Sequence, residues 1–320
     1  MLFRSQDTSK NKSATKTIAF SVNLAVAAPT VTISQMPAAF SNSSSASFSF
    51  SGTSTNSSVS FYECALDQAA FAACSSPASY ASLAEGNHSF SVKAKDALGQ
   101  SSSAATFSFV VDVTKPSAPA VSSSAISPSK SSSLNLTFNS ADSSGIAKYE
   151  CKLDAGSFAA CASPQAYSGL SNANHTFTVR ATDKAGNVSA EGSYSILIDT
   201  APPVVAITAQ PASTTQATTA SFSFTVSDAG SGVNLIECQL DSQAYASCSG
   251  SQAYNNLAVG SHIFNVRGSD KAGNSAVQSY SWTIAVADPT PTVSPSPSSS
   301  PMSLAAKGVS HVTGEVELSW

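Results

Sequence analysis

The sequence predicts an all-β protein, a tandem array of three antiparallel β-sandwiches that each carry a disulfide across a hairpin. Three observations lead to this prediction: a cysteine pattern that recurs every 87 residues, short runs in which apolar and polar residues alternate, and turn-forming residues between those runs. Repetition at a fixed period indicates a modular architecture, and period-two alternation indicates half-buried strands.

The repeat is clearest around the cysteines. Residues 62–74, 149–161 and 236–248 read YECALDQAAFAAC, YECKLDAGSFAAC and IECQLDSQAYASC. A repeat of this length has the usual size of a small sandwich domain. We place the first repeat at residues 29–113, the second at 114–200 and the third at 201–287, with proline-containing linkers at the joints.

Five short runs in the second repeat have the composition of strands. Turn-forming residues separate them, and no segment shows a persuasive helical period. In HTFTVRA, the residues His175, Phe177 and Val179 point to one face and are expected to pack on the opposite sheet. The predicted strands lie at residues 133–138, 148–153, 158–161, 175–181 and 193–198.

The combined pattern resembles a known class of module. Aromatic-Glu-Cys, Leu-Asp, aromatic-x-x-Cys and Gly-x-His-x-Phe-x-Val recur, and DKAGN stands at residues 183–187 and 270–274. This is similar to the bacterial Ig-like or fibronectin type III-like tandem repeats of large secreted and cell-surface proteins, such as adhesins. The first repeat reads DALGQ at residues 96–100, so its corresponding turn is expected to differ.

The residues on either side of the three repeats carry further predictions. Residues 1–28 match the end of the second repeat, with Asp7 and Asn11 at the positions of Asp183 and Asn187, which predicts the remnant of a preceding repeat. Residues 288–303 are a Pro/Ser-rich linker of extended type. Residues 304–320 resemble the truncated start of a fibronectin type III-like domain.

The six cysteines are predicted to form one disulfide in each repeat. Cys151 is expected directly opposite Cys161 across a hairpin centred on Gly156, and the spacing matches neither a zinc site nor a C-x-x-C redox motif. Disulfides indicate an oxidising, extracytoplasmic environment, so we expect a secreted or cell-surface protein. The predicted pairs are Cys64 with Cys74, Cys151 with Cys161, and Cys238 with Cys248.

Composition excludes several classes of partner. Charged residues make up 11% of the chain and the net charge is −4, which leaves no basic stripe for a phosphate backbone and predicts no nucleic-acid partner. The sequence also contains no run of 18 apolar residues, so no transmembrane segment is predicted.

No catalytic site is predicted. His88, His175 and His262 recur in every repeat, which favours a structural role at a strand corner over catalysis. No serine nucleophile motif accompanies them. We therefore expect that this chain is not an enzyme and needs no organic cofactor.

Six aspartates are candidate calcium ligands, in linkers and turns that meet at one pole of a sandwich. Carboxylate oxygens suit Ca²⁺, although Asp and Gly-Asn are also ordinary turn formers, and both explanations stay open. The first repeat has Ala25 at the linker position and keeps only Asp96, so no calcium is expected there. The candidates are Asp112, Asp142 and Asp183 in one set, and Asp199, Asp228 and Asp270 in the other.

These features favour a structural or adhesive stalk module of a large bacterial extracellular protein. The alternative is a set of spacer modules in a secreted polysaccharide-degrading enzyme. The expected partner is a surface ligand, either glycan or protein, whose identity the sequence does not give. Exposed aromatic platforms for carbohydrate are not evident, because Tyr80, Tyr167 and Tyr254 recur at one position and are expected to pack.

Overall fold

The computed structural model describes residues 8–9 and 27–287, and every regular element within them is a β-strand. The predicted all-β fold of tandem sandwiches with hairpin disulfides is therefore confirmed. The predictions for residues 1–28 that involve Asp7, Asn11 and Ala25 lie outside the described residues, as do those for 288–303 and 304–320.

The strands follow the three repeats. In the first repeat they are β1 (Thr30–Gln35), β2 (Phe40–Ser41), β3 (Ala46–Thr53), β4 (Val59–Leu66), β5 (Ala72–Cys74), β6 (Ala78–Tyr80), β7 (Gly86–Asp96) and β8 (Ala105–Val111). In the second they are β9 (Ala120–Ser122), β10 (Leu134–Asn139), β11 (Ile146–Leu153), β12 (Ala159–Cys161), β13 (Gln165–Tyr167), β14 (Asn174–Asp183) and β15 (Gly192–Leu197). In the third they are β16 (Val204–Ala209), β17 (Thr214–Thr215), β18 (Ala220–Ser227), β19 (Val233–Leu240), β20 (Ala246–Ser247), β21 (Ser251–Tyr254), β22 (Gly260–Asp270) and β23 (Ser275–Ile284).

Packing divides the described chain into two compact units. The first comprises the described residues up to Val205 together with 226–236 and 267–277. The second comprises 206–225, 237–266 and the described residues from Gln278 onward. The first compact unit thus holds the first and second repeats and two turn regions of the third repeat.

The first repeat is a sandwich of a three-stranded sheet, in the order β1-β3-β6, and a five-stranded sheet, in the order β2-β8-β7-β4-β5. Apolar residues at alternate positions of both sheets form its core. Phe48 of β3 stacks on Phe90 of β7 with ring centroids 4.1 Å apart. Phe109 and Val111 of β8 complete this layer.

The second repeat has the sheets β13-β10-β9 and β12-β11-β14-β15. On β14, Phe177, Val179 and Ala181 are fully buried, as the alternation predicts. Leu134 and Leu136 occupy the positions that Ala46 and Phe48 have in the first repeat. Leu134 is larger than Ala46 and Leu136 is smaller than Phe48, so the two differences in side-chain volume offset each other.

The second compact unit is built from the same pairings. Strand β18 pairs with β21, β19 with β20, and β17 runs parallel to β23. Phe222 stacks on Phe264 with ring centroids 4.1 Å apart, and Trp282 packs edge-on against Phe222.

All three hairpin disulfides are formed, with the paired Cα atoms 5.8 Å apart in each. The predicted direct opposition of Cys151 and Cys161 is wrong, because Cys151 pairs with Ala159 and Cys161 with Tyr149. The bonded cysteines are diagonal neighbours on one face of the hairpin. The turn is longer than predicted because Asp154 adopts a left-handed conformation, with φ 53°, and its N–H donates to the carbonyl of Thr176, so β11 ends at Leu153.

Candidate metal centre at the joints between repeats

The structure brings each predicted set of aspartates together. Each set offers three carboxylate oxygens, one from each residue, that lie within 4.8 Å of one another. All six residues belong to the first compact unit. Whether the sets bind calcium stays a prediction. The sets are Asp112, Asp142 and Asp183, and Asp199, Asp228 and Asp270.

Strand ends and turns position the first set. Asp112 directly follows β8 at the start of the linker, Asp142 lies in the turn between β10 and β11, and Asp183 is the last residue of β14. Asp112 and Asp183 are 3% and 2% exposed, whereas Asp142 is half-buried. Two unit negative charges about 4.8 Å apart repel by roughly 3 to 4 kcal/mol at an effective dielectric constant near 20. A compensating positive group would therefore stabilise this arrangement.

The carboxylates of the first set differ in how well they are hydrogen-bonded. Asp142 Oδ1 accepts bonds from the N–H and the hydroxyl of Ser144, both at 2.8 Å. Asp112 Oδ1 accepts a bond from the N–H of Thr114 at 3.1 Å. Asp112 Oδ2 is buried and has no hydrogen-bond partner among the described residues. Unpaired buried oxygens of this kind are uncommon and need an explanation.

In each set, an asparagine binds both the linker aspartate and the aspartate at the strand end. Asn187 donates from its main-chain N–H to Asp183 Oδ1 at 2.9 Å and from Nδ2 to Asp183 Oδ2 at 2.8 Å. Its Nδ2 also donates to the main-chain oxygen of Asp112 at 2.8 Å. Asn274 forms the same three bonds with Asp270 and Asp199. The sequence predicts a role for the aspartates of DKAGN but none for Asn187 and Asn274; the recurrence of this motif together with an aspartate in the linker was the available signal.

Each carboxylate of the second set accepts at least one hydrogen bond. Asp199 is fully buried, and its carboxylate accepts bonds from the main-chain N–H groups of Ala201 at 3.2 Å and Ser231 at 2.6 Å. The Ser231 side chain, followed by these two N–H groups, holds the pKa of Asp199 below its ordinary value although burial opposes this. Asp228 Oδ2 accepts a bond from the N–H of Gly232 at 2.6 Å.

The first repeat lacks such a set among the described residues. Asp96 is buried and accepts bonds from the N–H groups of Leu98 and Gln100, at 3.0 and 2.9 Å, and from the hydroxyl of Ser54 at 3.2 Å. Gln100 occupies the position of the joint asparagines, and no second carboxylate of the described chain forms a metal-binding group with Asp96.

The recurrent histidines bind aspartates that sequence reasoning missed. In the second repeat, His175 Nδ1 lies 2.8 Å from Asp154 Oδ2, and its Nε2 lies 3.0 Å from the carbonyl of Ser171. Since both ring nitrogens face acceptors, this contact favours the doubly protonated imidazolium. His88 with Asp67 and His262 with Asp241 form the same pair, at 3.0 and 2.9 Å. The Leu-Asp dipeptide recurring 21 residues before each histidine was the signal.

These histidine sites have the features of structural corners. Each aspartate has a positive φ and also accepts a main-chain N–H from the residue after the histidine, as Asp154 does from Thr176. In the first repeat the pair borders an open cleft of about 780 Å³. The ring nitrogens of His88 are hydrogen-bonded to Asp67 and to the carbonyl of Ala84, so neither is available as a base.

No protein-family model and no curated protein matches the sequence. Solved structures to which the chain is similar include fibronectin-like modules and tandem repeats of bacterial adhesins. The fibronectin(III)-like modules of CbhA from Clostridium thermocellum show 14% identity over 52% of this chain and 94% of that chain, with a TM-score of 0.32. A 1.5-MDa bacterial ice-binding adhesin shows 15% identity over 75% and 89%, with a TM-score of 0.35.

The tetra-tandem repeat in the extending region of a large adhesion protein shows 18% identity over 89% of this chain and 80% of that chain, with a TM-score of 0.31. Because these TM-scores are low, the fold is assigned from the strand pairing described above. The described residues form no helix long and apolar enough to cross a membrane.

Proposed function

We propose that the chain is a non-catalytic structural or adhesive stalk module of a large bacterial extracellular or cell-surface protein. The observation that carries the proposal is the repeated joint contact. Asn187 to Asp112, and Asn274 to Asp199, form the same bond between residues 75 positions apart in the chain. A contact repeated at successive joints favours a role that depends on fixing one repeat to the next.

The construction of each repeat supports this role. A disulfide fixes the hairpin next to each core, and a histidine–aspartate pair fixes the strand corner in every repeat. Such features add stability to small cores without creating a reactive group. The disulfides also support an extracytoplasmic location.

The outer sheet faces support weak contact with a surface ligand. Hydroxyl pairs cross neighbouring strands, for example Ser47 with Ser79 at 3.0 Å and Ser122 with Thr137 at 2.8 Å. Hydroxyl-rich faces of low charge suit many weak contacts with a glycan or protein, in which repetition supplies the overall affinity.

Single-molecule force spectroscopy on the chain tests the mechanical part of the proposal. Each repeat should unfold in one discrete event, because small domains unfold cooperatively. Its disulfide should keep the segment between the two cysteines, ten positions apart, from extending. Reduction should lengthen each event by about 30 Å. Smooth extension without events, or step lengths unaffected by reduction, would count against a stalk built from disulfide-closed repeats.

A second measurement addresses catalysis and context. The chain should release no reducing sugars from a panel of polysaccharides, and hydrolysis that persists in purified protein would overturn the non-catalytic assignment. A spacer in a secreted polysaccharide-degrading enzyme would behave in the same way in this assay. Reading the gene outward from both ends separates the two settings: further repeats with a surface anchor support a stalk, and a catalytic domain supports a spacer.

A further inference from the structure

We propose that Asp112, Asp142 and Asp183 form a calcium site, and that the corresponding set at the next joint replaces the cation with main-chain N–H groups. The second set is Asp199, Asp228 and Asp270. This inference goes beyond the proposed stalk function and does not depend on it. Both sets lie within the first compact unit.

The unpaired oxygen of Asp112 points to a cation. Asp112 is 3% exposed, and its Oδ2 has no hydrogen-bond partner among the described residues. Burying a carboxylate oxygen without a partner is unfavourable, and buried charges in proteins are normally paired or coordinate metals. No lysine of the described chain forms an ion pair with the three carboxylates. Lys184 instead lies with its Nζ over the ring of Phe40.

The geometry fits a hard cation of the size of Ca²⁺. Calcium binds oxygen at about 2.3 to 2.6 Å, so oxygens on opposite sides of one ion are about 4.6 to 5.2 Å apart. The three carboxylate oxygens lie within 4.8 Å of one another and can therefore surround one ion. Calcium takes six to eight oxygens, so water would complete the shell.

A cleft borders this site at Asp112. It has a volume of about 350 Å³ and is lined in part by Asp112, Ser143, Ser144 and Glu85. Glu85 Oε1 accepts bonds from the N–H of Val113 and the hydroxyl of Thr114, so a fourth carboxylate lies beside the linker. The corresponding residue of the next joint is Asn172, which is neutral and whose Oδ1 accepts bonds from the N–H and the hydroxyl of Thr200. The first joint therefore carries one carboxylate more than the second.

A difference of one residue explains why the second set does not need a cation. Both turns end at a glycine with positive φ, Gly145 and Gly232, but the aspartate stands three residues before Gly145 and four before Gly232. The longer turn places the N–H of Ser231 2.6 Å from Asp199 Oδ2. Gly230 is packed against this carboxylate, which leaves no room for a Cβ at position 230.

Calorimetric titration of the whole, metal-free chain with Ca²⁺, and separately with Mg²⁺, tests the inference. We expect one calcium site per chain, with weaker Mg²⁺ binding because Mg²⁺ requires shorter, near-octahedral coordination. No binding of Ca²⁺ would overturn the site, two equal sites would overturn the replacement by N–H groups, and equal affinity for Mg²⁺ would overturn the assignment to calcium.

Matched variants locate the site. Asp112→Asn should weaken calcium binding at least about tenfold, because affinity depends on the number of charged ligands. Asp199→Asn, at the corresponding position, should leave it unchanged. If Asp112→Asn does not fold, as judged by circular dichroism, Asp142→Asn in the half-buried turn serves the same purpose. Unchanged binding in the folded variant would overturn the assignment.

Shortening the second turn provides a converse test. Deletion of Gly230 gives this turn the length of the first one, so the N–H that binds Asp199 should be displaced. A second calcium site should then appear in the titration. A folded deletion variant that still binds one ion would show that turn length does not control binding. Failure of any of these titrations leaves the force measurements, and hence the stalk proposal, unaffected.

Discussion

Asn187 Nδ2 donates a 2.8 Å hydrogen bond to the main-chain oxygen of Asp112, which lies 75 residues earlier in the chain. The same nitrogen donates to Asp183 Oδ2, also at 2.8 Å. One amide group thus connects the linker that enters the second repeat with the turn that follows β14. A single side chain therefore contributes directly to holding this joint together.

Replacement of this asparagine should destabilise the second repeat. Asn187→Ala removes both bonds and leaves the buried carboxylate of Asp183 with one partner fewer, which should lower the free energy of unfolding by about 1 to 3 kcal/mol. Urea denaturation of the whole chain measures the effect. Asn174→Ala, an exposed position on β14, is the control and should change stability by less than about 0.5 kcal/mol. Equal effects of the two substitutions would contradict the role assigned to Asn187.

The fold could be predicted because its signals are local and occur three times. The alternation in HTFTVRA is enough to assign the buried face of β14, and the buried Phe177 and Val179 confirm it. Hairpin register was not predictable to the residue, because Asp154 is fixed by the N–H and carbonyl of Thr176, 22 residues away. A pattern of apolar residues contains no information about such a contact.

The candidate site could be predicted only as a set of residues. The sequence predicts that Asp112, Asp142 and Asp183 lie together, because the linkers and turns of a sandwich meet at one pole. The difference between the two sets was not predictable from residue types, since it depends on whether Ser231 N–H reaches Asp199. The one-residue difference in turn length was visible in the sequence, but its consequence required coordinates.

Removal of one disulfide should weaken its repeat. The double substitution Cys151→Ala/Cys161→Ala opens a loop closed over ten positions, which corresponds to about 2 to 3 kcal/mol in the chain-entropy model. Urea denaturation with and without reductant measures this. Mass spectrometry after alkylation is the control: the unreduced wild-type chain should take up no label, and labelling of its cysteines would contradict the disulfides.

Stability should be greatest in mildly acidic solution because of the histidine–aspartate pairs. Asp154, followed by the carbonyl of Ser171, raises the pKa of His175 above its ordinary value of 6.5, although burial opposes this. That contribution is complete below pH 6.5 and is lost as the pH rises through the raised value. His175, followed by the N–H of Thr176, lowers the pKa of Asp154 below 3.8, so its contribution is present above pH 3.8 and is lost as the pH falls through the lowered value.

The melting temperature should therefore be highest between about pH 4 and 6.5 and should fall as the pH rises further. Calorimetric scans from pH 4 to 9 measure this dependence. A triple variant with His88→Gln, His175→Gln and His262→Gln should lose the decline on the alkaline side, while Asn174→Ala should retain it. The hypothesis fails if the decline is as steep in the triple variant as in the wild-type chain.

A tyrosine hydroxyl should contribute to the second repeat in a way that can be isolated. Tyr149 Oη accepts a 3.0 Å hydrogen bond from the N–H of Ser140, and its ring packs edge-on against Phe138. Tyr149→Phe keeps the ring and removes the acceptor, so the free energy of unfolding should fall by about 1 kcal/mol. The third repeat has Ile236 at this position, so the substitution Ile236→Val, which removes one methylene group and no hydrogen bond, is a suitable control for packing alone. Urea denaturation distinguishes the two contributions: if Tyr149→Phe matches the wild-type chain, water satisfies the N–H of Ser140 and the bond adds nothing to stability.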